Sequence, residues 1–89
     1  MVILDIRTPE EYVQRHLPGA LLIPTPRPPL TYAQHRMLQM HLAALRLPKD
    51  TPIGVYCKKG IRSGIATELL RGLGYTNVTD LGGIDNMVQ

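Results

Sequence analysis

The stretch "PIGVYCKKGIRSGIATELLRGLG", residues 52–74, decides the architecture. It opens as a short apolar, β-branched run over 52–57 that reads as a strand, and it breaks into a basic, glycine-containing loop over 57–62. Beyond the loop, Ile65, Ala66, Leu69, Leu70 and Leu73 recur at helical spacing, and Gly74 suits a left-handed C-cap. The only cysteine of the chain, Cys57, stands at the junction of strand and loop.

The same alternation extends in both directions. "VILDI", residues 2–6, reads as a strand buried on both faces. Thr8, Pro9 and Glu11 form a helix start with a capping box, which predicts a short helix from Pro9 to about Arg15. "HLPGA" turns the chain, and "ALLIP", residues 20–24, reads as a second buried strand. "PTPRPPL", residues 24–30, carries four of the eight prolines and predicts a stiff loop. Thr31 and Gln34 repeat the capping pattern ahead of a helix over 32–46, which Pro48 stops. Two apolar stripes run along it, Ala33, Met37, Met40, Ala44 and Leu38, Leu42, Leu45, so Met37 and Met40 are expected in the core. "NVTDL", residues 77–81, predicts a fourth strand, "GG" at 82–83 a turn, and "IDNMVQ" the start of a last helix.

Strands alternating with helices predict an α/β domain over residues 1–89. Its sheet is parallel, with about four strands, helices on both faces and right-handed crossovers. Ligands of such sheets bind beyond the carboxyl ends of the strands, where Cys57 falls.

Composition narrows the function. An apolar fraction of 44% suits a globular domain, and the lack of Trp and Phe leaves aliphatic side chains to fill the core. No apolar run is long enough to span a membrane, and "MVILDIRTPE" has no signal-peptide character, so a cytoplasmic location is expected. One cysteine excludes an internal disulfide and a cysteine-based zinc cluster. His35 and His41 do not share a helical face, and His16 precedes a turn, so no metal site is expected. The net charge is +3. Lys58, Lys59 and Arg62 lie in a window from Thr51 to Thr67 that contains no acid. That concentration favours a small anion over the wide basic face that nucleic acid requires.

The loop supplies a chemical rationale for its cysteine. Ser63 is a suitable N-cap for the following helix, whose free N–H groups and dipole face back into the loop. Gly60 permits the positive φ that a loop curling around an anion needs. The inward amides, with Lys58, Lys59 and Arg62, favour the thiolate over the thiol and admit anionic substrates. Asp5 and Arg7 end the first strand near the same edge; a bracing role is expected for both, with an Arg7–Glu11 pair. The tyrosines carry no stacking pattern, and Ser63 has no partner base that would make it a nucleophile.

These residues resemble the single-domain rhodanese family of sulfurtransferases. "LDIRTPEEY" is similar to its first motif, "HLPGALLIP" to its second, and "VYCKKGIRSGIATELLRGLGYTNVTDLGG" to its active-site strand, loop, helix and final strand. Family members carry a stretch ahead of the Asp-x-Arg strand, whereas this sequence starts at that strand, and Met87 stands where the family often has Trp. The resemblance implies the three-layer rhodanese-like fold. It implies that Cys57 accepts a sulfane sulfur as a persulfide, that Lys58, Lys59, Gly60, Ile61, Arg62 and Ser63 cradle it, and that Arg62 steadies the anionic donor. It implies thiosulfate or a similar donor, cyanide or a thiol as acceptor, and no metal or organic cofactor. A protein sulfur acceptor, and a chain that acts as a persulfide carrier or a non-catalytic interaction module, stay open. A cysteine phosphatase or arsenate reductase is disfavoured, because those enzymes use a Cys-to-Arg loop one residue longer than "KKGI" allows. A monomer is expected.

Overall fold

The strands form around short apolar runs, and α-helical segments start after the capping threonines Thr8 and Thr31 and, without a side-chain cap, after Gly60. In the computed structural model, which describes residues 1–87, the order is β1 (Val2–Asp5), α1 (Pro9–Gln14), β2 (Leu21–Leu22), α2 (Tyr32–Ala43), β3 (Ile53–Cys57), α3 (Ile61–Gly72) and β4 (Val78–Gly83). A single 3₁₀ turn, Ile84–Asn86, follows. The strands make one parallel sheet in the order β2-β1-β3-β4. The expected α/β architecture with a four-stranded parallel sheet is therefore present. Among the described residues no helix is long and apolar enough to cross a membrane.

The two-residue period of β3 divides the core. Ile53, Val55 and Cys57 join Leu4, Ile6, Leu38, Leu42, Ala66 and Leu70 in the larger cluster, which α2 and α3 cover. Tyr56 faces the other way, into a smaller cluster with Ala20 and Ile84 against Tyr12 of α1 and Leu17. All five residues of β3 are buried, which fits a central strand.

Several sequence expectations are corrected. β2 shrinks from 20–24 to Leu21–Leu22 and lies at the sheet edge with Leu21 exposed; beyond it Ile23 and Thr25 still donate to the Asp5 and Arg7 carbonyls, while Pro24 and Pro26 fall at the alternate positions, where an edge strand needs no N–H. α2 ends at Ala43 rather than 46, and Arg46 turns the chain with φ of 52°. Met37 and Met40 are exposed, not core; the buried residues of the helix are Leu38 and Leu42. β4 runs on through Gly82 and Gly83, so this pair is strand and not a turn. The strand accommodates the pair through a register shift opposite Val55 and Tyr56. The expected last helix is the one 3₁₀ turn, and residues 88–89 of that expectation lie outside the described residues.

Tyr56 links the sheet to the α1 side. Its hydroxyl donates to Asp5 Oδ2 at 2.5 Å and accepts the Leu17 N–H at 3.0 Å. Burial, then the Asp5 carboxylate, pushes the phenol up to about 12. Tyr56→Phe leaves the Leu17 N–H without its partner and is expected to destabilise the domain by about 1–3 kcal/mol. Urea unfolding of both proteins measures this; an unchanged midpoint would contradict it.

Candidate active site

Strand β3 carries Cys57 to the carboxyl end of the sheet, where the residue is 1% exposed. It lines a cavity of about 240 Å³ together with Arg27, Pro28, Lys58, Lys59, Ile61 and Arg62. Burial removes the sulfur from the outer surface without closing it off, since the cavity reaches it. Cys57 Sγ accepts the Gly60 N–H at 3.0 Å and lies 3.6 Å from Ser63 Oγ. The loop curls as its glycine predicts: Gly60 has φ of 106°. The curl brings Gly64 N–H onto Gly60 O at 3.1 Å, so α3 starts at Ile61 with Gly60 as N-cap. Ser63 is therefore not the N-cap but sits in the first turn, its hydroxyl donating to the carbonyl of Gly60 (3.0 Å) or Gly82 (3.4 Å). The start of α3 adjoins the sulfur, where the helix dipole favours negative charge.

Sequence reasoning missed what holds the loop from beneath. A Cβ on Gly83 would lie 2.4 Å from the Lys58 carbonyl oxygen and 2.5 Å from Lys59 Cα. No other residue fits where β4 passes under the loop. Asp85 N–H then donates to that same Lys58 carbonyl at 3.1 Å.

The cations of the loop are not equivalent. Arg62 is 3% exposed and turns away from solvent, its two terminal nitrogens donating to Glu11 Oε1 at 2.8 Å and Oε2 at 3.2 Å. Glu11 also accepts the Thr8 N–H at 2.9 Å in the capping box. Burial alone would push the Glu11 carboxyl up, but the Arg62 guanidinium and the Thr8 N–H overcome it and hold it at about 2. The expected Arg7–Glu11 pair is thus replaced by two others. Arg7 donates instead to both oxygens of Asp5, each at 2.8 Å, and to the Arg15 carbonyl. Asp5 reaches the site only through Tyr56, the neighbour of Cys57, which is a bracing position.

Lys58 pairs with Asp85 at 2.9 Å, and Lys59 lies 3.8 Å from the same carboxylate. The hydrogen bond from Lys58 holds the Asp85 carboxyl below its usual range. The acid-free window in the sequence is therefore offset in space by an acid from beyond β4. Arg27, which lines the Cys57 cavity, is another residue that sequence reasoning passed over. The only signal for it was a cation in the proline-rich loop that leaves the carboxyl end of β2.

His16 serves the fold. Its ring stacks on Tyr12 at 3.7 Å between centroids, a contact the sequence did not suggest, and its Nδ1 lies 2.8 Å from the Tyr12 carbonyl. Among the described residues no group of three or more His, Cys, Asp or Glu is placed to hold a metal ion.

A parallel α/β sheet with a cysteine at the head of a curled loop and a helix behind it defines the class: the chain belongs to the rhodanese-like domain family, whose profile matches residues 1–89. Its relatives include sulfurtransferases. The thiosulfate sulfurtransferase PspE of Escherichia coli is 33% identical over 86 residues, which cover 97% of this chain and 73% of that protein. A sulfurtransferase of Allochromatium vinosum is 35% identical, over 93% of this chain and 66% of that protein. The adenylyltransferase and sulfurtransferase uba4 of Ogataea parapolymorpha is 32% identical over 92% of this chain, which spans only 18% of that longer protein. Among solved structures, a rhodanese with anions from E. coli superimposes with a TM-score of 0.76 at 32% identity, over 99% of this chain and 92% of the other.

The Glu11 value has a definite pH signature. A carboxylate whose native value is depressed contributes stability above about 4.5 and loses it as pH falls towards about 2. Glu11→Gln is expected to be less stable than the parent by on the order of 3 kcal/mol at neutral pH. That gap should close as pH falls from 4.5 to 2, because the parent then also carries a neutral side chain. Denaturant melts at several pH values measure it; a gap independent of pH would contradict the assignment.

Proposed function

We propose that the chain is a sulfurtransferase that moves a sulfane sulfur from thiosulfate, or a similar donor, to cyanide or a thiol through a persulfide on Cys57. The observation that carries this reading is the sulfur itself. It sits at the head of a loop whose Gly60 N–H points at it from 3.0 Å, beside the start of a helix and inside a basic cavity. Those donors suit negative charge that develops at the sulfur, and the cavity gives reactants a path to it.

In the first step the Cys57 thiolate attacks the outer sulfur of thiosulfate. The S–S bond of the donor breaks, sulfite leaves with the electron pair, and the new S–S bond makes a Cys57 persulfide anion. The cradle that held one sulfur anion then holds another of the same charge, extended by one atom. In the second step the acceptor, cyanide for example, attacks that terminal sulfur. Thiocyanate leaves and the Cys57 thiolate is restored. No net redox change occurs across the cycle and no external electron carrier is needed. The donor is an anion, and the E. coli rhodanese of similar fold is one described with anions. The loop residues Lys58, Lys59, Gly60, Ile61 and Ser63 shape the cradle, while Arg62 anchors it through Glu11.

Initial-rate measurements of thiocyanate formation test the proposal. The parent is expected to give parallel double-reciprocal lines when thiosulfate and cyanide are varied together, the pattern of a two-step covalent cycle. Cys57→Ser should lower turnover by at least about a hundredfold while leaving the thermal midpoint close to that of the parent. Turnover at the parent rate in Cys57→Ser would overturn the mechanism.

A further inference from the structure

We propose that Arg27 forms an oxyanion subsite beside Cys57, holding the sulfonate end of a thiosulfate-type donor while its outer sulfur meets the thiolate. The inference rests on the sulfur-transfer reading above and assigns a residue to donor recognition within it.

The cations lining the Cys57 cavity are Arg27, Lys58, Lys59 and Arg62. Three of them face a carboxylate. Arg62 is buried in its two-point contact with Glu11, and Lys58 and Lys59 share Asp85 at 2.9 and 3.8 Å. Arg27 is exposed, and among the described residues it has no hydrogen bond, ion pair or ring contact. Recruiting Arg62 to a substrate would leave the buried Glu11 carboxylate without its counter-charge, a loss larger than a new anion contact returns. Recruiting Arg27 breaks nothing.

Its position fits the role. Arg27 lines the Cys57 cavity and also a second, smaller one of about 140 Å³, so it borders both. That second cavity gathers Arg7, Arg15 and Lys58 against the acids Glu11 and Asp85, a surplus of positive charge next to the reacting sulfur. The backbone that presents Arg27 is held firmly. Pro26 and Pro28 flank it. Thr25, 2% exposed, donates its N–H to Arg7 O at 3.0 Å and accepts Arg62 Nη1 at 3.4 Å. A guanidinium presents paired donors that match two oxygens of a sulfonate, which a lysine ammonium cannot reproduce. Pro28 and Ile61 make the apolar wall of the cavity against which the less polar sulfane sulfur can lie. When the donor S–S bond breaks, the electron pair and the growing negative charge go to sulfite, next to Arg27.

The test uses thiosulfate as the probe and the unreactive Cys57→Ser protein as the binder. Isothermal titration at low ionic strength is expected to give a dissociation constant at least about tenfold higher in Cys57→Ser/Arg27→Ala, with Arg27→Lys in between. Cys57→Ser/Arg71→Ala, which removes the same charge from an exposed site in the last turn of α3, away from the helix end that adjoins Cys57, should match Cys57→Ser. Equal affinity with and without Arg27, or no thiosulfate binding to Cys57→Ser, overturns the proposal. Sulfite release in a single turnover separates it from the reading it rests on. If parent and Arg27→Ala release sulfite equally fast from dilute thiosulfate, the oxyanion subsite falls and sulfur transfer stands. If thiosulfate binds through Arg27 but the parent releases no sulfite, sulfur transfer falls and the subsite stands.

Discussion

A buried pair between the Arg62 guanidinium and the Glu11 carboxylate ties α1 to the start of α3 beside the Cys57 loop. Glu11 belongs to α1, whose start is fixed by Thr8 and Pro9, and Arg62 to the first turn of α3. Neither side chain can leave the other without stranding a charge in the protein interior. The consequence is a loop of fixed shape. Its Gly60 end is set by a positive φ, its Arg62 end by Glu11, and its floor by Gly83, which leaves no space for a side chain beneath Lys58. A cradle held at three points can aim an amide at a sulfur atom without reorganising when charge develops there.

The same pair settles how the positive charge is shared. A sequence window with three cations and no acid suggests a strongly basic mouth. In space Glu11 takes up Arg62, and Asp85 takes up Lys58 and approaches Lys59. The charge that remains for a ligand comes from the amides, the helix end and the lysine surplus over Asp85, with Arg27 reaching in from the proline-rich loop.

What was legible in the sequence was whatever depends on local pattern. The β-branched runs, the capping boxes at Thr8 and Thr31, and the period of Ile65 to Leu73 specified the alternation of strands and helices. The position of Cys57 at a strand end pointed to the site, and Gly60 to its curl. What was not legible depends on which surfaces meet. The two stripes of α2 are alike as patterns, and only packing decides that Leu38 and Leu42 are covered while Met37 and Met40 are not. Gly82 and Gly83 look like a turn to local rules; Gly82 does take a positive φ of 83°, but at an irregularity within β4, and Gly83 continues the pairing where the loop leaves no space for a Cβ. Arg7 and Glu11 sit at helical spacing and invite pairing, yet each finds a better partner, Asp5 two residues back and Arg62 far along the chain. Asp85 and Arg27 carry no periodic or motif signal.

The account turns on one covalent species at one atom. Intact mass measured after incubation with thiosulfate, and again after cyanide is added, tests it directly because the chain has a single cysteine. The account predicts a gain of one sulfur atom that cyanide removes as thiocyanate appears. A folded protein whose mass does not change with thiosulfate would contradict it.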